Sequence, residues 1–169
     1  MRIAGLWMHA SVATILAIVC SSCSGNSLPN VSQLVLSVTP VEPSHQQLRL
    51  RIELEFHGAK RVVVDRSMLP WGIRDALLIV PIVTDPFGTR VDEAQYVDDP
   101  HHDYMDLTPD DSLSGEVDLQ QRFPDLAEAL TRRDVVVFWS YELRPVDGPA
   151  YPRISGAVLI PSRKQGLVE

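Results

Sequence analysis

LRLRIELEF, residues 48–56, decides the fold. Leu48, Leu50, Ile52, Leu54 and Phe56 alternate without exception with Arg49, Arg51, Glu53 and Glu55. Period two puts the apolar side chains on one face of an extended strand and the charges on the other. A strand with one dry and one wet face belongs to an antiparallel sheet laid on a core. Its outward charges also discourage pairing between sheet edges.

Similar runs recur outward from this one. Residues 33–38 predict a first strand, and His57-Gly58-Ala59-Lys60 reads as a turn into a strand over residues 61–64. Residues 76–84 are nearly all apolar, which predicts a strand buried on both faces. Pro81 within that run argues for an edge position or a bulge. Asp85-Pro86-Phe87-Gly88 has the Pro and Gly placement of a type I turn. In residues 134–143, Val135, Val137, Trp139, Tyr141 and Leu143 share one face, and residues 153–160 give the last strand. Residues 145–152 form a Pro/Gly loop between them. Residues 124–132 break the pattern. Leu126 and Leu130 stand four apart, Pro124 suits a first helical turn, and Arg132 and Arg133 suit the negative end of a helix. The expectation is an all-β chain, an immunoglobulin-like antiparallel β-sandwich with one short helix, over residues 34–161. It contains no cysteine, so the inter-sheet bridge of antibody domains cannot form. Trp139 or Trp71 is expected to fill the central volume.

With 169 residues and 45% hydrophobic content, the chain can bury one real core. Its formal charge is −7 and it has no basic block, so nucleic acid is not an expected partner.

The chain begins MRIAGLWMHASVATILAIVCSSC. Arg2 gives a positive start, and residues 11–19 form an uncharged, largely apolar run. That run is shorter than the about 20 residues of a membrane-spanning helix, and the layout is that of a secretory signal peptide over residues 1–22. Cys20 and Cys23, the only cysteines, stand as C-x-x-C. A redox pair would open a helix within a βαβ unit, and zinc would need two further ligands at fitting spacing. Neither context is present in the sequence. The stretch resembles instead the lipobox of bacterial lipoproteins, with Ser22 before a lipidated Cys23 and Cys20 at the position that usually holds Leu. Ordinary signal-peptide cleavage nearby, with Cys23 free or paired, is the alternative. Residues 23–33, rich in Ser, Asn and Gly, read as a flexible tether, and residues 162–169 as a tail. Ser24 replaces the Asp that retains such proteins at the inner membrane, so the resemblance implies the periplasmic side of the outer membrane.

The densest cluster of chemistry-bearing residues is Asp98-Asp99-Pro100-His101-His102-Asp103-Tyr104-Met105-Asp106. His101, His102, Asp99 and Asp103 are candidate metal ligands, since zinc takes imidazole nitrogen and calcium takes carboxylate oxygen. Adjacent histidines on an extended chain point to opposite faces, however, and the glycine of a calcium loop is missing. His57 would need a nucleophile and an orienting partner to act as a base, and Asp110-Asp111 sit among turn residues. No nucleophile elbow, zinc-protease helix or phosphate-binding glycine loop occurs. Pro70 and Trp71 are candidate binding residues, either as an exposed platform or as a plug at one end of the sandwich.

Leu69-Pro70-Trp71, the Gly88 hairpin, and residues 107–119 (LTPDDSLSGEVDL) precede a Phe/Pro/Leu helix and a strand holding Tyr141. This order resembles the small β-sandwich domain that precedes the catalytic domain of deuterolysin-like metallopeptidases. It is similar also to stand-alone bacterial lipoproteins of unassigned function. Asp110 stands where those families place Gly, and Arg132-Arg133-Asp134 where a Gly-x-Tyr start is common. No peptidase domain follows in the sequence, so the resemblance implies a module acting by contact. The expected function is that of a non-enzymatic envelope lipoprotein. It would be held to the membrane through Cys23, need no cofactor, and bind or stabilise another envelope protein, a peptidase among the candidates. A metal-binding or metal-dependent periplasmic protein using residues 98–106 is the alternative. The contact hypothesis further expects a contiguous apolar surface patch.

Overall fold

The structure is a computed structural model and describes residues 33–41, 48–97 and 101–162. The expected leader, Cys20, Cys23, most of the tether, Asp98, Asp99 and most of the tail lie outside the described residues.

Among the described residues, eight strands form three antiparallel sheets. The first sheet is β1 (Leu34–Pro40), β2 (Arg49–Phe56) and β6 (Asp111–Asp118), with β2 in the middle. The second is β4 (Leu77–Val83), β7 (Val135–Tyr141) and β8 (Ile154–Ile160), with β7 in the middle. A two-stranded ribbon joins β3 (Val62–Asp65) to β5 (Tyr104–Leu107). The first two strands pair with the third from last, and the last two with β4. This is the A-B-E and C-F-G division of an immunoglobulin-like sandwich.

The LRLRIELEF stretch behaves as its alternation predicts. Leu50, Ile52, Leu54 and Phe56 are fully buried, while Arg51, Glu53 and Glu55 are exposed. Because β2 is a central strand, its charges do not guard an edge. Its arginines pair across the ladder, Arg51 lying opposite Glu116 on β6. Glu116 also accepts from Arg49 at 3.1 Å.

The inward side chains of both three-stranded sheets form one core with the residues of two short helices, α1 (Leu119–Arg122) and α2 (Leu126–Arg132). Asp118 starts α1 by accepting from the Gln121 amide at 2.9 Å. The expected helix therefore begins two residues later than Pro124, which with Asp125 makes the turn between the two helices. Leu119, Phe123, Leu126 and Leu130 all point into the core.

The largest fully buried side chains are Tyr141, Phe56 and Phe123, so they fill the centre rather than a tryptophan. Trp71 and Trp139 are half-buried, and each lies over a glycine of a neighbouring strand. A Cβ on Gly115 would stand 2.1 Å from the Trp71 ring, and one on Gly156 would stand 2.5 Å from the Trp139 ring. Each indole occupies the space that a side chain on the glycine would fill, and Trp139 Nε1 is buried there with no hydrogen-bond partner among the described residues.

Pro81 lies in β4, an edge strand of its sheet. The Asp85 turn then folds the chain back along β4, the Val91 amide donating to the Pro81 carbonyl at 3.0 Å. Gly88 adopts φ +63° there, a conformation that side chains with a Cβ rarely hold. Asp85 fixes the turn by accepting from the Phe87 and Thr89 amides and from the Thr89 hydroxyl. β4 departs from expectation in one respect. Leu77, Ile79 and Pro81 are buried, but Leu78 on the opposite face is 51% exposed. The run is apolar on both faces, and on the second face, among the described residues, Leu78 is exposed while Val80 and Ile82 are half-buried.

Candidate functional site

Backbone register shows what that uncovered face contains. Leu78 lies beside Ser140 on β7, which lies beside Ser155 on β8. The next row is Val80, Phe138 and Ala157, and the third is Ile82, Val136 and Leu159. These nine outward positions carry no charge and only two hydroxyls. Phe138 at the centre is 50% exposed and Leu159 is 53% exposed. The opposite outer face, on β1, β2 and β6, presents Arg49, Arg51, Glu53, Glu55 and Glu116. The two outer faces of one sandwich thus have opposite character.

Charges lie at the rim of the apolar face. Arg90 bridges to Ile82 at one corner, and Arg153 donates to the Ser140 hydroxyl at 3.0 Å at another. Glu142 accepts from Arg144 and Arg153, and the Arg144 bond holds its carboxyl below the usual range. The side chain of Phe87 stands almost wholly exposed at the tip of the Asp85 turn. An apolar centre with an aromatic anchor and a charged rim is the anatomy of a protein-binding surface.

The candidate binding residues Pro70 and Trp71 sit elsewhere. They line a cleft of about 230 Å³ with Ile73, Glu116, Asp118 and Arg122. Pro70 is buried, and Trp71 lies against the core with its ring on Gly115. The cleft's charged groups are already engaged: Glu116 by two arginines, Asp118 by the Gln121 amide, and Arg122 by Glu93.

The candidate metal ligands do not converge among the described residues. His101 is exposed, His102 meets Asp65 through Nδ1 at 2.6 Å, and Asp103 pairs with Arg66 at 3.3 Å. No group of three or more His, Cys, Asp or Glu residues fit to hold a metal occurs among the described residues, and Asp99 lies outside them. The His102 ring stacks on Tyr104 with centroids 6.2 Å apart. Asp65 is part of the scaffold: it also accepts from the Ser67 amide at 2.9 Å, starting the 3-10 turn Arg66–Met68. His57 lies between Asp110 at 3.2 Å and Glu55 at 3.3 Å. Asp110 occupies the turn position with φ +68°, and no nucleophile faces the ring among these contacts.

These pairs contribute to the pH dependence of the domain. The His102 and Ser67 hydrogen bonds hold the Asp65 carboxyl down at about 2. A depressed carboxyl stabilises the fold above its unfolded value of about 4 and loses that contribution as pH falls toward 2. The Asp110 hydrogen bond, with help from Glu55, raises the His57 imidazole. A raised imidazole stabilises below about pH 6.5 and loses the contribution as pH climbs through its folded value. Urea midpoints are therefore expected to drop between pH 4 and pH 2, and less steeply in Asp65→Asn. A smaller decline as pH rises past about 6.5 is expected to vanish in His57→Gln.

No protein-family model matches this chain, and no curated protein matches it either. The fold and the face therefore define a class: an immunoglobulin-like sandwich with one uncharged outer sheet face. The residues of that face were not singled out from the sequence. The signal was present in residues 76–84 and in Val136 and Phe138, apolar where an outward face should be polar. Only the register of three strands distant in sequence gathers them.

Proposed function

We propose that the protein is a non-enzymatic, lipid-anchored component of the bacterial cell envelope. Its sandwich docks an envelope protein through the outer face of β4, β7 and β8. The observation that carries this is the charge-free apolar surface around Phe138. Solvent-facing sheet positions are ordinarily polar, and an apolar surface of this kind marks a contact site. The leader, the lipobox-like CSSC and the Ser-rich tether support an anchored module that reaches its partner across the membrane surface. A peptidase remains among the candidate partners through the resemblance to the module that precedes a peptidase domain.

Phe138→Lys is expected to weaken that association about 30-fold or more, because it removes a central aromatic anchor and places a charge there. Glu53→Lys on the charged outer face is expected to leave it unchanged. Chemical cross-linking in the envelope, followed by separation of the protein's adducts, checks both. Equal loss with the two variants, or with neither, would contradict the proposal. The anchor is checked by the intact mass of the membrane-derived protein, which is expected to equal cleavage before Cys23 plus acyl chains and to lose that modification in Cys23→Ala. An unmodified mass retaining both cysteines would contradict it.

A further inference from the structure

The outer face of β4, β7 and β8 is suited to meet itself, and we propose that its occupant is a second copy of this chain, packed sheet on sheet about a two-fold axis. This deepens the proposed contact function and rests on it.

Shape is the first ground. The middle row of the face places the large Phe138 ring beside the single methyl of Ala157, and Ser155 follows two residues before it on the same face of β8. In register one patch thus sets a large side chain beside small ones, the combination that can act as knob and seat. A two-fold interface needs both on the same patch, so that Phe138 of each copy rests over Ala157 and Ser155 of the other. A flat face of uniform large side chains would offer the knobs without the seat.

Charge is the second ground. The chain carries a formal −7, so two copies repel on approach. A partner chosen by opposite charge would be met by the outer face that holds Arg49, Arg51, Glu53 and Glu55. The nine positions are where two equally acidic molecules can touch with the fewest charges between them, Arg153 on the Ser140 hydroxyl being the nearest ion. An anionic lipid surface would repel the acidic domain in the same way, and the nine positions offer it no basic residue.

Area sets the strength. Three strands of seven residues cover roughly 14 Å by 24 Å, or about 350 Å² per copy before the rim is counted. A standard interface covers about 800 Å² per partner. The dimer is therefore weak and reversible, with a dissociation constant on the order of 10–1000 µM. Anchoring on one membrane would raise the local concentration enough to populate it.

The test is sedimentation velocity over a concentration series on the full chain with Cys20→Ser and Cys23→Ser, so that neither acylation nor oxidation contributes. Wild-type surface residues are expected to give a concentration-dependent dimer, and Phe138→Lys to weaken it about 30-fold or more. Glu53→Lys should leave a dimer. Raising salt from about 0.05 M to about 0.5 M should strengthen self-association, since it screens like charges, whereas contact between opposite charges would weaken. Leu159→Lys serves if Phe138→Lys fails to fold, as judged by circular dichroism.

A chain monomeric up to about 1 mM overturns the proposal. So does a dimer indifferent to both lysine variants, or one dissolved by salt. A monomer whose stability, rather than its mass, responds to Phe138→Lys would overturn it too and assign the face to another segment of the same chain. If the chain is monomeric but Phe138 is still required for adducts with a different envelope protein, the contact function stands and only the self-pairing fails. Binding of the monomer to vesicles of mixed zwitterionic and anionic lipid, lost in Phe138→Lys, would overturn both.

Discussion

Phe56→Ala is expected to lower the stability of the domain by about 4 kcal/mol, in the middle of the range for aromatic truncations in cores. The ring is fully buried at the end of β2 and meets Tyr151 edge-on, with centroids 5.6 Å apart. Tyr151 lies in the loop between β7 and β8, so one side chain ties the end of the first sheet to the second. Gly58 folds back so closely that a Cβ there would stand 2.1 Å from the ring. The surroundings are backbone and neighbouring core, which cannot collapse into the space left behind. For a domain of this size the loss corresponds to a fall in melting temperature of roughly 12–20 °C. Glu53→Ala, three residues earlier on the exposed face, is expected to stay within about 0.5 kcal/mol. Calorimetry on the pair checks the alternation directly, since side chains three positions apart in one strand should differ by about tenfold in effect.

Arg122→Met is expected to lower stability by about 3 kcal/mol, chiefly through lost hydrogen bonds and only in small part through the guanidinium that lies 5.7 Å over the Phe123 ring. The Arg122 side chain is 6% exposed. It donates to Glu93 at 2.5 Å and to the Leu77 carbonyl at 3.0 Å, while its own carbonyl accepts from the Ala94 amide at 2.9 Å. It thereby fastens α1 to the first residue of β4 and to the segment after the Asp85 turn. Methionine fills the volume but leaves the Leu77 oxygen and the Glu93 carboxylate without their donor. Adding Glu93→Gln is expected to recover part of the loss, because the uncompensated charge disappears. The exposed Arg49 and Glu116 pair makes the contrast, its removal being worth less than about 1 kcal/mol and falling with salt. Urea denaturation of the single and double variants at two salt concentrations separates the cases.

These two sites differ in how far the sequence announces them. Phe56 ends an alternation that no helix can satisfy, so its face and its burial follow from period two alone. Arg122 carries no local signal. A lone arginine after two glutamines reads as surface, and it is buried because Glu93, 29 residues earlier, lies beside it in the fold. The His102 and Asp65 pair, 37 residues apart, was hidden for the same reason, which is why the Asp/His stretch read as a loose ligand cluster. The tryptophans misled through size. A large aromatic suggests a central plug, but Gly115 and Gly156, on other strands, set where each indole can rest. The apolar face was half legible. Residues 76–84 announced two apolar faces, and burial of both was the natural expectation. That Leu78, Phe138 and Leu159 on the second face stand exposed among the described residues depends on what lies over the sheet, which no local pattern encodes.

The most direct measurement places a photo-reactive amino acid at position 138 of the full chain in cells that make it, with the same group at position 53 as the control. Irradiation is expected to give a defined covalent adduct with protein from position 138, at twice the chain mass if the occupant is a second copy, and none from position 53. No adduct from position 138, adducts of equal yield from both positions, or adducts with lipid alone would contradict the claim that this protein works by contact through the uncharged face.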